Sequence, residues 1–143
     1  MYTVEHHTGK LFEVRLATPI TEQELQEFVR DLNRVLGGIP GKYVGVTDLI
    51  EAHVFPPYVT QTMIQYMAAS SPRVVRSGML VNESATFGMQ VERVLRSSNS
   101  DHRRAFRKAE ELEAWLGEVL TVEERVRLRR FLAPRLSGMP QAR

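Results

Sequence analysis

Residues 42–48, KYVGVTD, constrain the fold more than any other stretch of the chain. Val44 and Val46 are β-branched, Tyr43 is aromatic and Gly45 permits close backbone approach, so the run reads as a buried strand. The polar pair Thr47 and Asp48 opens that strand into a loop. The connection IEAHVF ends in Pro56-Pro57, which suits the first turn of a helix because proline lacks the N–H that this turn leaves unpaired. A buried strand followed by a helix is half of a βαβ unit, and a chain of such units builds a mainly parallel sheet.

The flanking segments extend the pattern. Tyr2, Val4 and His6 alternate with Thr3, Glu5 and His7, and beyond Thr8-Gly9 the set Phe12, Val14 and Leu16 alternates with Leu11, Glu13 and Arg15. This predicts a β-hairpin with one buried face. Thr21 and Glu24 have capping-box spacing, so a helix starts near Glu22; Leu25, Phe28, Val29, Leu32, Val35 and Leu36 form its apolar stripe, and Gly37-Gly38 stops it. Val59, Met63, Tyr66 and Met67 mark a second helix over about residues 57–70. Residues 74–81, VVRSGMLV, read as a strand buried on both faces, and Ser84 caps a third helix with Phe87, Val91, Val94 and Leu95 inward. Residues 103–106 read as an edge strand, and Ala109, Leu112, Trp115, Leu116 and Val119 as the stripe of a fourth helix. Thr121 and Glu124 repeat the capping box to start a fifth, which stops before Pro134. The predicted class is α/β: a mixed, mainly parallel sheet with an N-terminal antiparallel hairpin, covered by helices, plus an extra C-terminal helix.

A chain of 143 residues is the size of one domain. No apolar run approaches the roughly 20 residues of a spanning helix, and the N-terminus lacks the basic flank and apolar core of a secretory signal. With no Cys, disulfide and thiolate chemistry are excluded, which fits the cytoplasm. Acidic residues are in excess up to residue 92 and basic ones beyond it. The set Arg93, Arg96, Arg103, Arg104, Arg107 and Lys108, with Arg125, Arg127, Arg129 and Arg130, suits a solvated face or an acidic partner. Nucleic acid is disfavoured, because Phe106 and Phe131 are the only rings in these stretches and no nucleic-acid motif accompanies them.

The strand order, residues 41–48 leading into a helix, the run SGMLVNESATFGMQVERVLRS, and Phe106 followed by AEELEAWL resemble the STAS-type domains. The likeness is to their anti-sigma-factor-antagonist-like group of stand-alone bacterial domains. In that group a strand ending in Phe precedes a helix with an Ala-x-x-Trp-Leu-like pattern, here Glu113, Ala114, Trp115 and Leu116. The resemblance covers residues 1–120 and implies a domain acting through partners or ligands in the bacterial cytoplasm, with relatives of CRAL-TRIO fold that hold lipids between sheet and helices. Residues 121–134 stand outside it as an additional helix packed on the domain, and residues 135–143 read as a mobile tail. Signalling members carry a phosphorylated Ser where the central strand meets its helix; residues 47–55 contain no Ser and only Thr47 as a hydroxyl, so that switch does not carry over.

Three functional expectations follow. The first is a non-enzymatic interaction module that docks a protein partner on the loops after the central strands, through Thr47, Asp48, Glu51 and His53 and through Asn82, Glu83, Ser84 and Phe87. The second is a carrier of a small apolar or acyl ligand between the sheet and the second and third helices, lined by Phe55, Tyr58, Met63, Met67, Phe87 and Met89. The third is a hydrolase with Asp48 and His53 as acid/base pair; no G-x-S-x-G, P-loop or G-x-G-x-x-G accompanies them, and Ser84 is the one available hydroxyl nucleophile. His6, His7, His53 and His102 have no metal-ligand spacing, so neither metal nor cofactor is expected. On the last helix Leu128, Phe131 and Leu132 share one side while Val122 and Val126 lie partly round the barrel, which suggests a homodimer using that helix.

Overall fold

The structure, a computed structural model, describes residues 1–98 and 101–136. Its elements are β1 (Tyr2–Thr8), β2 (Leu11–Leu16), α1 (Glu22–Gly37), β3 (Tyr43–Asp48), α2 (Pro57–Ser70), β4 (Val74–Leu80), α3 (Ala85–Ser97), β5 (Arg103–Phe106), α4 (Ala109–Gly117) and α5 (Val122–Leu132). The strands form one five-stranded sheet in the order β1-β2-β3-β4-β5, antiparallel between β1 and β2 and parallel elsewhere. The α/β class with an N-terminal hairpin and a C-terminal helix is as the sequence predicts.

Sheet order decides where the helices go. Each crossover from β2 to β5 steps to the next strand in the same direction, and right-handed connections then put α1, α2 and α3 on one face. That face carries the larger core, from Phe12 and Val14 on β2 to Phe87 and Val91 on α3. After β5 the chain passes to the opposite face, where α4 and α5 bury Leu112, Leu116, Leu128 and Leu132 against Val44, Val46 and Leu80. Packing there is close: a Cβ on Gly78 would stand 2.0 Å from Leu112 Cδ1.

Local signals fix the helix starts. Thr21 Oγ1 accepts from Glu24 N at 3.1 Å while Glu24 Oε1 accepts from Thr21 N at 3.3 Å; the Thr121–Glu124 box at α5 closes at 3.2 and 2.8 Å. Ser84 Oγ accepts from Phe87 N at 3.2 Å. By contrast, α2 opens on Pro56-Pro57 with no side-chain cap, and only Val59 and Met67 of its residues are fully buried.

Two expectations are corrected. The hairpin does not have a single buried face: on β2, Leu11 and Glu13 are as buried as Phe12 and Val14, because α5 lies over their side of the strand. Glu13 takes two N–H bonds from Arg127, at 2.8 and 2.7 Å, and Glu124 takes the Lys10 amide at 2.7 Å and its ammonium at 3.1 Å. Residues 135 and 136, assigned to the tail from the sequence, belong to the packed fold. Residues 133–135 form a 3₁₀ turn, Leu136 is buried, and Arg135 reaches Asp48; residues 137–143 of the predicted tail lie outside the described residues. Among the described residues no helix is long and apolar enough to cross a membrane.

Candidate functional site

On the face covered by α1 and α2 the middle of the sheet is made of small side chains. Gly45 of β3 is the register partner of Ser77 of β4, with Thr47 and Met79 paired beside them. Larger residues surround this patch: Phe12, Val14 and Leu16 on β2, Tyr43 on β3, Leu25, Phe28, Val29 and Leu32 on α1, and Met63, Tyr66 and Met67 on α2. Helices resting on those residues cannot descend onto Gly45 and Ser77, and a cavity of about 70 Å³ remains between sheet and helices. Protein interiors are otherwise close-packed, so a void of several water volumes in a domain this small is a feature to be accounted for.

Its walls are apolar except at one end. There Arg103, at the start of β5, is buried and lines the cavity; one N–H of its Nη2 reaches Ser70 Oγ at 2.9 Å and another contact runs to Met67 O at 3.3 Å. Its Nε is buried without a hydrogen-bond partner, while the buried Tyr66 hydroxyl makes no hydrogen bond of ordinary length and has the Tyr43 phenol as its polar neighbour. Burial, with the Tyr43 phenol beside it, pushes the Tyr66 hydroxyl well above the usual tyrosine range, only partly offset by the charges of Arg103 and Arg73, so it stands as a neutral donor. The cavity borders a groove of about 300 Å³ in the outer seam of α1 and α2, which shares Leu25, Val29 and Thr62 with it.

The structure distributes the residues singled out from the sequence. Thr47, Met63 and Met67 line the cavity. Phe55 and Phe87 do not: their rings meet edge to face at 5.4 Å and fill the space toward α3, while Met89 is 66% exposed. Of the expected pocket between the sheet and α2 and α3, the α3 part is thus filled by two aromatic rings, and the hollow lies under α1 and α2. Tyr58 is turned outward to donate to Ile20 O at 2.8 Å. Gly45, Tyr66, Ser77 and Arg103 were not legible as one site, although a Ser-Gly pair inside the strand VVRSGMLV was a sign of missing bulk on both faces.

Asp48 is buried in a different constellation, on the α5 side of the sheet. Its carboxylate accepts from Arg15, from Arg135 Nε at 3.0 Å and from the amide of Ile50 at 3.0 Å. Arg15 lies 4.0 Å over the Phe131 ring and donates to Phe131 O at 2.5 Å. No hydrogen bond joins Asp48 to His53, which is exposed and linked to the fold by its amide to Thr18 Oγ1 at 2.9 Å. A carboxylate so fully paired is neither a free base nor a docking group. In the loops, Asn82 donates to Ile50 O and Ala52 O at 3.1 and 2.8 Å and accepts from Ser84 N at 3.1 Å, while Ser84 caps α3. Asn82 and Ser84 therefore serve as loop braces, and Glu51 and Glu83 remain on the surface.

Glu124 is a further buried carboxylate. Burial alone would raise its pKa; the amides of Thr121 and Lys10 and the Lys10 ammonium outweigh this and hold it below the usual carboxylate range. Its contribution to stability is therefore present above the unfolded-state pKa and is lost as pH falls through the lowered folded value. Glu5, His7 and Glu13 bring ligand atoms within 4.8 Å of one another, but both Glu13 oxygens are already taken by Arg127, which leaves too few free donors for a metal.

At the other end of the sheet, β4 leads to a helix on one face and β5 to a helix on the opposite face, so their loops diverge. A groove of about 370 Å³ opens there, with Arg93, Arg96 and Arg107 around Val81, Met89 and Phe106. No family model, curated protein or solved structure matches this chain.

Proposed function

We propose that the chain is a non-enzymatic, STAS-like binding domain whose interior cavity takes up a small, largely apolar ligand, as a carrier or sensor. The observation that supports this reading is the hollow over Gly45 and Ser77, walled by apolar side chains and bordered by a groove at the α1–α2 seam. Met63, Met67 and Met79 line it, and flexible thioether chains can adjust to an occupant without backbone change. The wall formed by α2 is lightly anchored and uncapped, which is the property an entry route needs.

Xenon, a neutral apolar probe, tests the cavity itself. Under xenon pressure the methyl resonances of Met63, Met67 and Met79 are expected to shift while that of exposed Met89 does not. Gly45→Ala puts a methyl 3.3 Å from the Ser77 hydroxyl oxygen and 3.7 Å from Tyr43. It is expected to stabilise the fold by about 0.5–1 kcal/mol, through a less flexible unfolded chain, while weakening the xenon response. Unchanged methionine signals under xenon would remove the cavity reading.

A second reading, docking of an acidic protein partner, is favoured by the groove between α3 and β5, where Arg93, Arg96 and Arg107 are exposed with no ion pair among the described residues. Here the partner would meet arginines rather than Asp48 and Glu83. Arg93→Glu with Arg107→Glu is expected to abolish capture of any such partner in a pull-down; capture that survives the double charge reversal sinks this reading. The exposed Val122 and Val126 of α5 leave room in the same proposal for a homodimer.

A further inference from the structure

The polar end of the cavity defines the chemistry of its occupant. A guanidinium cannot shed its proton at any physiological pH, so Arg103 cannot relieve its burial by becoming neutral, as a buried lysine or carboxylate would. Buried charges in proteins are paired, yet no carboxylate lies within ion-pairing distance of Arg103 among the described residues; its partners are a carbonyl and a hydroxyl. One of its N–H groups is left with nothing to donate to, and the hydroxyl of Tyr66 is held only loosely, by the Tyr43 phenol beside it. Both residues line the same cavity, near enough for the charge of Arg103 to act on the Tyr66 phenol.

Resting on the reading of the cavity as a ligand site, we propose that its occupant is a small aliphatic carboxylate. One carboxylate oxygen accepts from Arg103 Nε and the other from the Tyr66 hydroxyl, and the apolar tail lies over Gly45 and Ser77 toward the α1–α2 seam. The unused N–H of Arg103 and the loosely held hydroxyl of Tyr66 match the two oxygens of a carboxylate; a phosphate, with more oxygens and more charge, would be left under-satisfied. The ligand supplies the counter-charge that the fold omits, and the hydroxyl completes the hydrogen bonding that the fold leaves open. Size narrows the class further. A cavity of about 150 Å³ takes the six heavy atoms of benzene, so one of about 70 Å³ takes roughly three as it stands, and an acid with a tail is accommodated as the three methionines move, at a cost that grows with chain length.

Titration of the full chain, labelled at its methionine methyls, with propionate, butyrate, hexanoate and octanoate and with the alcohols of matching chain length tests this. The short acids are expected to shift Met63, Met67 and Met79 and to bind at least about tenfold more tightly than the matching alcohols, since a charge-assisted pair is lost in the alcohol. Arg103→Met, which keeps an unbranched stem and removes the guanidinium with its charge, is expected to erase that preference. Tyr66→Phe, which leaves the packing in place, is expected to weaken the acids by about three- to tenfold and leave the alcohols unchanged. Alcohols that bind as well as acids, or acid binding that survives Arg103→Met, would overturn the carboxylate while the xenon response keeps the cavity reading intact. If neither series nor xenon moves the methionine methyls, the cavity is a site for structural water, and both the carboxylate and the reading beneath it fall.

Discussion

Replacing Asp48 with Ala is expected to destabilise the fold by about 3–5 kcal/mol, the cost of breaking an ion cluster centred on a buried carboxylate. The side chain of Asp48 is 2% exposed, and it is the point at which three segments meet: Arg15 from β2, Arg135 from the turn after α5, and the Ile50 amide of its own loop. With the carboxylate gone, Arg15 still lies over Phe131, 4.0 Å from the ring centroid, and Arg135 keeps only its longer contact to exposed Glu51 at 3.6 Å, so the two cations share the end of the sheet with little counter-charge. Asp48→Asn keeps the volume and one acceptor oxygen and is expected to cost less than the alanine but still more than 1 kcal/mol, because the charge-assisted bonds are lost. Urea denaturation gives both numbers. An alanine variant within about 1 kcal/mol of the parent would show that the cluster is solvated and that Asp48 is free for another role, including the acid/base role first considered for it.

Phe87→Ala is expected to cost about 3–5 kcal/mol as well, for a different reason. Phe87 is 1% exposed, the largest fully buried side chain, and its ring meets that of Phe55 edge to face at 5.4 Å. Removing it leaves a void between α2 and α3 that close neighbours can only partly refill. It also separates the two places where a ligand could have been sought. In the parent, xenon should be sensed by Met63, Met67 and Met79; in the Phe87→Ala variant, a new response at residues around Phe55 is expected in addition to, and not in place of, the first. A midpoint in thermal unfolding close to the parent's would mean that α3 packs less tightly on the sheet than its burial indicates.

The elements were legible because their causes are local. Thr21 with Glu24 and Thr121 with Glu124 close the capping boxes expected from their spacing, and Ser84 caps α3, since each bond joins residues three apart. The division of α5 into a buried side, Leu128, Phe131 and Leu132, and exposed Val122 and Val126 also follows from about 100° per residue alone. The burial of Glu13 did not follow. Its partner, Arg127, is 114 residues away, and a charged residue alternating with Phe12 and Val14 reads as solvent-facing until a helix from the far end of the chain covers it. Asp48 was misread in the same way: an acid at a strand end looks available, and only the arrival of Arg15 and Arg135 shows it to be taken.

By itself, then, the sequence determined the α/β class, the order of the elements and the start of each capped helix, because periodicity, proline and caps act over one or two turns of chain. The tertiary structure alone decided which small residues stand side by side. Gly45 and Ser77 come together through the register of β3 on β4, and Tyr66 and Arg103 through the passage of α2 over the start of β5. A cavity is a property of the space that distant segments fail to fill, and neither its place nor the unpaired N–H of Arg103 at its end exists until those segments are packed.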